Sequence, residues 1–234
     1  MIRAFTNLRL WFGSREILRG LTLDLTQGGI TCLLGPSGCG KSTLLRLAAG
    51  LLHPNSGTVG LPASQTAMVF QEPRLLPWLT VAENLGLALP PALSGTTRLE
   101  RIRQALHTVC LEGVERRMPR ELSGGMAQRV GIARALLCAP SFLLMDEPFA
   151  ALDAITRGQL QSMLTELIAA RRCTCLFVTH DIQEALNIAH TLAVLQNGVI
   201  ALAAPVPREA AAKEALRTTV LAWLQRPCST PTPC

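Results

Sequence analysis

The stretch that most restricts what this chain can fold into is Gly35-Pro36-Ser37-Gly38-Cys39-Gly40-Lys41-Ser42-Thr43. It follows a short apolar run, Ile30 to Leu34, and opens a segment in which Leu44, Leu47, Ala48 and Leu51 recur at helical spacing. Strand, glycine-rich loop and helix in that order make a phosphate cradle. Glycine lets the backbone curl so that successive N–H groups face one anion, and the following helix turns its partially positive end to the same point. The pattern is G-x-x-x-x-G-K-[ST]. In it, Lys41 reaches the β and γ phosphates of a nucleotide and the Ser42 hydroxyl becomes a ligand for Mg²⁺.

The totals fit a chain built on that unit. At 234 residues, one α/β core with a smaller appended lobe is expected, and an apolar fraction of 49% is enough to fill it. No apolar run approaches the roughly 20 residues of a membrane-spanning helix. Met1 to Asn7 holds no apolar signal segment, so the chain is expected to stay in the cytoplasm. The eight cysteines form no C-x-x-C pair, which favours reduced thiols over disulfides or zinc. Cys39 stands apart, because a helix start can make a thiol more acidic. The net charge is +6, but the arginines are scattered and there is no Tyr, so a nucleic-acid surface is not expected.

Taken in order, residues 3 to 11 and 16 to 26 alternate as two strands joined at Gly13-Ser14. Trp11 and Phe12 at their turn suit packing at a sheet edge. Gly50 and His53 to Gly57 break the pattern after the first helix, and Thr66 to Phe70 reads as a short strand. In the next loop Leu75, Leu76, Trp78 and Leu79 are apolar, yet Pro73 and Pro77 forbid a regular helix or central strand. That loop is either a partner surface or packing for the small lobe. Thr80 to Glu83 is a capping box that opens a helix. Residues 96 to 111 predict an amphipathic helix with Leu99, Ile102, Leu106 and Val109 on one side.

The second half carries more chemistry. Ser123-Gly124-Gly125 precedes a helix with Val130, Ala133 and Leu137 on one side, a second helix start suited to an anion. Ser141 to Met145 is a buried-strand pattern that delivers Asp146 and Glu147 at its end. A Mg·ATP site needs one carboxylate for the ion and one for water. Leu160, Met163, Leu164, Leu167 and Ile168 define a further helix, and Cys173 to Val178 a strand followed by Thr179-His180-Asp181. In an open α/β sheet, ligands gather at the carboxyl ends of strands, where His180, Asp146 and the phosphate loop would all lie. Asn197-Gly198 joins a hairpin, and residues 208 to 225 predict a last helix.

Gly35 to Thr43, Gln71, Leu122 to Met126, Leu143 to Glu147, Ala151-Leu152-Asp153 and His180 together resemble, in order, six motifs of ABC-transporter ATPase subunits. These are the Walker A, Q-loop, signature, Walker B, D-loop and H-loop, and the resemblance spans about residues 1 to 205. It implies a P-loop NTPase core with an antiparallel β subdomain and a helical signature subdomain. The core would be 1–70 and 138–205 and the helical part 71–137, within one domain of 1–226 before a disordered tail, 227–234. It implies that the loop backbone and Lys41 hold phosphates, that Ser42, Gln71 and Asp146 serve Mg²⁺, and that Phe12 stacks on adenine. Glu147 would be the general base, and His180 would contact the γ-phosphate and fix the attacking water.

Ser123, Gly124 and Gly125 would meet the ATP of a second subunit, identical or paired, in a head-to-tail dimer with Asp153 at the seam. The loop from Gln71 to Asn84 resembles that of importers for nitrate, sulfonates and taurine, and of related importers of thiamine precursors. There it borders a membrane permease, which would make Leu75 to Trp78 a docking surface and hold the chain at the cytoplasmic membrane face. A substrate-binding protein would be an indirect partner. Met126 stands where Gln is commoner, and Ser56 to Phe70 is shorter than usual. The competing reading is a soluble ABC ATPase with a non-transport partner. Such proteins carry fused cassettes, coiled-coil insertions or a basic stripe, none of which is visible here.

Overall fold

The computed structural model describes residues 1–226. The tail expected to be disordered, 227–234, lies outside the described residues together with Cys228 and Cys234. Alternating apolar residues fold the start of the chain into a hairpin of β1 (Ile2–Phe12) and β2 (Arg15–Leu25), with Phe12 opposite Arg15. A third strand, β4 (Ser56–Val59), pairs antiparallel with β1 to give a sheet in the order β2-β1-β4. The chain breaks after α1 as Gly50 and His53 to Asn55 predict, but Ser56 and Gly57, read as part of that break, belong to β4. β4 is short and mostly exposed and its partner lies far back in the sequence, so no local pattern announces it.

The main sheet has six strands: β3 (Ile30–Leu34), β5 (Thr66–Val69), β6 (Phe142–Asp146), β7 (Thr174–Val178), β8 (Thr191–Gln196) and β9 (Val199–Pro205). Their order is β5-β6-β7-β3-β8-β9. All pairings are parallel except β8 with β9, which are joined at Asn197 and Gly198 with φ of 50° and 77°. Left-handed backbone at both residues is what a two-residue hairpin turn demands.

Strand alternation sorts the core into two layers. Ile30, Cys32, Leu34, Leu143, Met145, Cys175, Phe177, Leu192 and Val194 face one cluster. Helices α2 (Val81–Gly86), α3 (Gly95–Thr108), α4 (Gly124–Leu137), α5 (Ala154–Arg171), α6 (Ile182–Ile188) and α7 (Ala210–Leu224) contribute to that cluster. Leu33, Leu144, Leu176, Val178, Ala193 and Leu195 face the other, where α1 (Lys41–Ala48) inserts Leu44, Leu45 and Leu47 beneath the small sheet. Side chains on Thr80, Ser94, Ser123, Asp153 and Asp181 cap the starts of α2 to α6. Such caps contribute about 1 kcal/mol each.

Two helix expectations need correction. α1 stops at Ala48, so Leu51 lies beyond it and is exposed. On α3, Ile102 and Leu106 are buried and Val109 is buried at the cap, whereas Leu99 faces outward at 37% exposure. No helix among the described residues is long and apolar enough to cross a membrane.

Candidate functional site

Register across the main sheet gathers the predicted chemistry at one edge. Val178 pairs with Leu33 on one side and with Asp146 on the other, so β3, β7 and β6 end in a single row. The glycine loop leaves the first of these strands, Thr179 and His180 leave the second, and Glu147 follows the third.

The loop is shaped by contacts that only small residues permit. A side chain at Gly35 would collide with the Leu195 carbonyl, and Gly40, at φ +108°, lies where L-residues are strained. Lys41 is buried and spans the loop, its Nζ donating to the carbonyls of Gly35 at 2.7 Å and Pro36 at 2.9 Å. The amide of Cys39 closes a turn onto the Pro36 carbonyl at 3.3 Å. The end of the small sheet that carries Phe12 abuts this loop, since Ile17 and Leu18 pack over Gly40. Phe12 itself is half exposed rather than packed at a sheet edge.

Asp146 is buried at the end of β6 and lines one cavity with Ser42. Burial pushes its carboxyl above the usual carboxylate range, with the Ser42 hydroxyl opposing and the neighbouring Glu147 charge reinforcing the shift. Ser42, Gln71 and Asp146 line this cavity, which presents hydroxyl, amide and carboxylate oxygens. A set of hard oxygen donors fits Mg²⁺. Next to it, Glu147 occupies left-handed backbone at φ 44° with its amide bonded to the Val178 carbonyl at 2.9 Å. Its Oε2 lies 3.0 Å from Nδ1 of His180, and both line a second cavity. One carboxylate for a cation and another paired with an imidazole, both beside a phosphate cradle, form a constellation able to cleave a phosphoanhydride.

The structure does not bring Ser123 to Gly125 into either cavity. Ser123 caps α4 through the Met126 amide at 3.2 Å, and Gly125 backs onto Leu152 and the Ala151 carbonyl. Asp153 caps α5 and is exposed. In the loop after Gln71, Leu75 packs on the core whereas Trp78 is 69% exposed.

Several residues that shape the site were not singled out from the sequence. Gln128, buried on α4, donates to the Phe70 carbonyl at 3.0 Å, and Arg134 donates to the carbonyls of Pro73 and Arg74, each at 3.0 Å. The helix behind Ser123 therefore holds the Gln71 loop. Gln128, Arg129 and Arg134 amid small and apolar residues were the available signal. Buried Asn84 does the same for the Trp78 loop, bonding the backbone of Leu76, Leu79 and Thr80.

Fold and site together define a P-loop ATPase cassette, and the chain belongs to the ABC transporter family, whose profile matches residues 18–150. Within that family it is an ATP-binding, ATP-hydrolysing subunit. It is 48% identical over 186 residues to an aliphatic sulfonates import ATP-binding protein of Pseudomonas syringae pv. syringae, covering 79% of this chain and 76% of the relative. It is 47% identical over 213 residues to one from Nocardia farcinica, covering 88% and 87%. Among solved structures, it superposes with a TM-score of 0.81 on the dimeric post-hydrolysis state of the ATP-binding cassette MJ0796 bound to ADP and Pi. The identity there is 29%, over 89% of this chain and all of the other.

Proposed function

We propose that the chain powers uptake of a small organic anion of the sulfonate class, working as a pair of ATPase subunits beneath a membrane permease. The observation that carries the catalytic half is the single row of strand ends that presents Lys41, Asp146, Glu147 and His180 together. Lys41 and the backbone from Gly35 to Thr43 hold the phosphates, and Phe12 stacks on the adenine. Ser42, Gln71 and Asp146 hold Mg²⁺, which when bound neutralises the charge developing on the phosphates. Glu147 takes a proton from the attacking water, and His180 orients that water against the γ-phosphate. Ser123 and Gly125, which line neither of the two cavities, serve the ATP of a second copy across a seam that includes Asp153.

The transport half rests on Trp78. A large aromatic held outward on a loop that Asn84 fixes by four hydrogen bonds is shaped for docking. The permease would seat there, which keeps the chain at the cytoplasmic membrane face, and a substrate-binding protein would act through the permease. Trp78→Ala is expected to leave ATP affinity unchanged and to reduce permease recovered with the chain after detergent extraction by about tenfold or more. Undiminished recovery would return Trp78 to an ordinary surface role.

A further inference from the structure

Arg157 stands at the end of the first turn of α5, near the helix pole that disfavours a cation. Its side chain reaches away from the helix in two directions. Nη2 donates to the Leu152 carbonyl at 3.0 Å, and Nη1 lies 3.8 Å from Oδ2 of Asp181. Nε is buried and has no hydrogen-bond partner among the described residues. The guanidinium lines the cavity that contains Glu147 and His180. Asp181 follows His180 directly and caps α6 through the amides of Gln183 and Glu184 at 2.8 and 3.1 Å. Leu152 in turn packs against Gly125 at the start of α4. One turn along α5, Gln161 donates to Glu184 at 3.1 Å, so the same helix face grips the His180 turn a second time.

We propose that Arg157 is a positioning residue for ATP hydrolysis, tying the seam loop at Leu152 to the turn that carries His180. Among the described residues its hydrogen bond and ion pair go to Leu152 and Asp181 and not to the phosphate loop. Instead it fixes the distance between the Ala151 to Asp153 loop and the imidazole that faces Glu147. A second copy that presses on the seam thereby sets the hydrolytic pair, and a planar two-pronged donor suits that task better than a flexible ammonium. The proposal rests on the reading of Glu147 and His180 as the hydrolytic pair.

Steady-state ATP hydrolysis by the full chain, measured for wild type, Arg157→Ala, Arg157→Lys and Glu147→Gln, tests it. Misplacement by about an ångström costs up to roughly 100-fold, so Arg157→Ala should lower kcat about 10- to 100-fold. KM for Mg·ATP should stay within about twofold, since ground-state binding groups are untouched. Arg157→Lys should recover part of kcat, keeping a charge for Asp181 without the fork that also holds Leu152. The Hill coefficient for ATP should fall in Arg157→Ala, a change that mere loosening of the fold would not produce. Wild-type kcat in Arg157→Ala, or a fall in kcat matched by a rise in KM, overturns the proposal. Wild-type turnover in Glu147→Gln overturns the hydrolytic pair and this proposal with it, whereas an inactive Glu147→Gln beside a normal Arg157→Ala removes only Arg157. Should Arg157→Ala not fold, Arg157→Lys and Arg157→Gln are read on the same kcat and KM axes.

Discussion

Glu147→Gln is expected to bind Mg·ATP as tightly as wild type and to hydrolyse it about 100- to 10,000-fold more slowly, the range that loss of a positioned general base produces. The substitution keeps volume and hydrogen-bonding shape, and the glutamine carbonyl can still accept from His180 Nδ1, which lies 3.0 Å from the carboxylate. What it removes is basicity. The left-handed backbone at φ 44° that aims the side chain is stressed equally by either residue, so the effect should fall on kcat and spare stability. Single-turnover hydrolysis with separately measured nucleotide affinity checks this, and normal turnover would remove Glu147 from the role.

Lys41→Ala should fail earlier in the cycle, at binding. A charge-assisted hydrogen bond to phosphate contributes about 1.5–3 kcal/mol, so loss of the ammonium should weaken ATP affinity about 10- to 100-fold. A second effect adds to it. Lys41 also draws the carbonyls of Gly35 and Pro36 to one point, so its removal frees the loop to lose the shape that its amides need. Titration calorimetry with ATP and with ADP shows which phosphate the ammonium serves. A loss larger for ATP than for ADP marks contact with the γ-phosphate, and an equal loss for both marks a lost β-phosphate contact or a collapsed loop. Unchanged affinity for ATP would count against the phosphate cradle.

The parts of this protein that were legible in its sequence are those whose cause is local. The strand from Ile30 to Leu34, the glycine loop and the helix after it follow from consecutive residues. So do the capping box at Thr80 and the Asn197-Gly198 hairpin, and each stands where the pattern placed it, except that the helix stops at Ala48, short of Leu51. β4 was missed because its pairing energy comes from β1, and Leu99 was misplaced because helical spacing gives a face but not its width. α4 is buried nearly all round, so its one-sided reading through Val130, Ala133 and Leu137 understated its burial.

The site shows the same division. Asp146, Glu147 and His180 are named by their positions at or just past the ends of buried strands, whereas Gln128 and Arg134 act on carbonyls of distant segments and Arg157 reaches the distant Asp181. No spacing rule marks a side chain whose partner is another segment's backbone.

The pairing proposed above has Ser123 and Gly125 complete the ATP site of a second copy. It is tested most directly by light scattering on size-separated Glu147→Gln with and without Mg·ATP. A monomer without nucleotide and a dimer with it are expected, reverting to monomer when Ser123 is replaced by Arg. A dimer that forms equally well in the Ser123→Arg chain, or a Glu147→Gln chain that stays monomeric with saturating Mg·ATP, would contradict it.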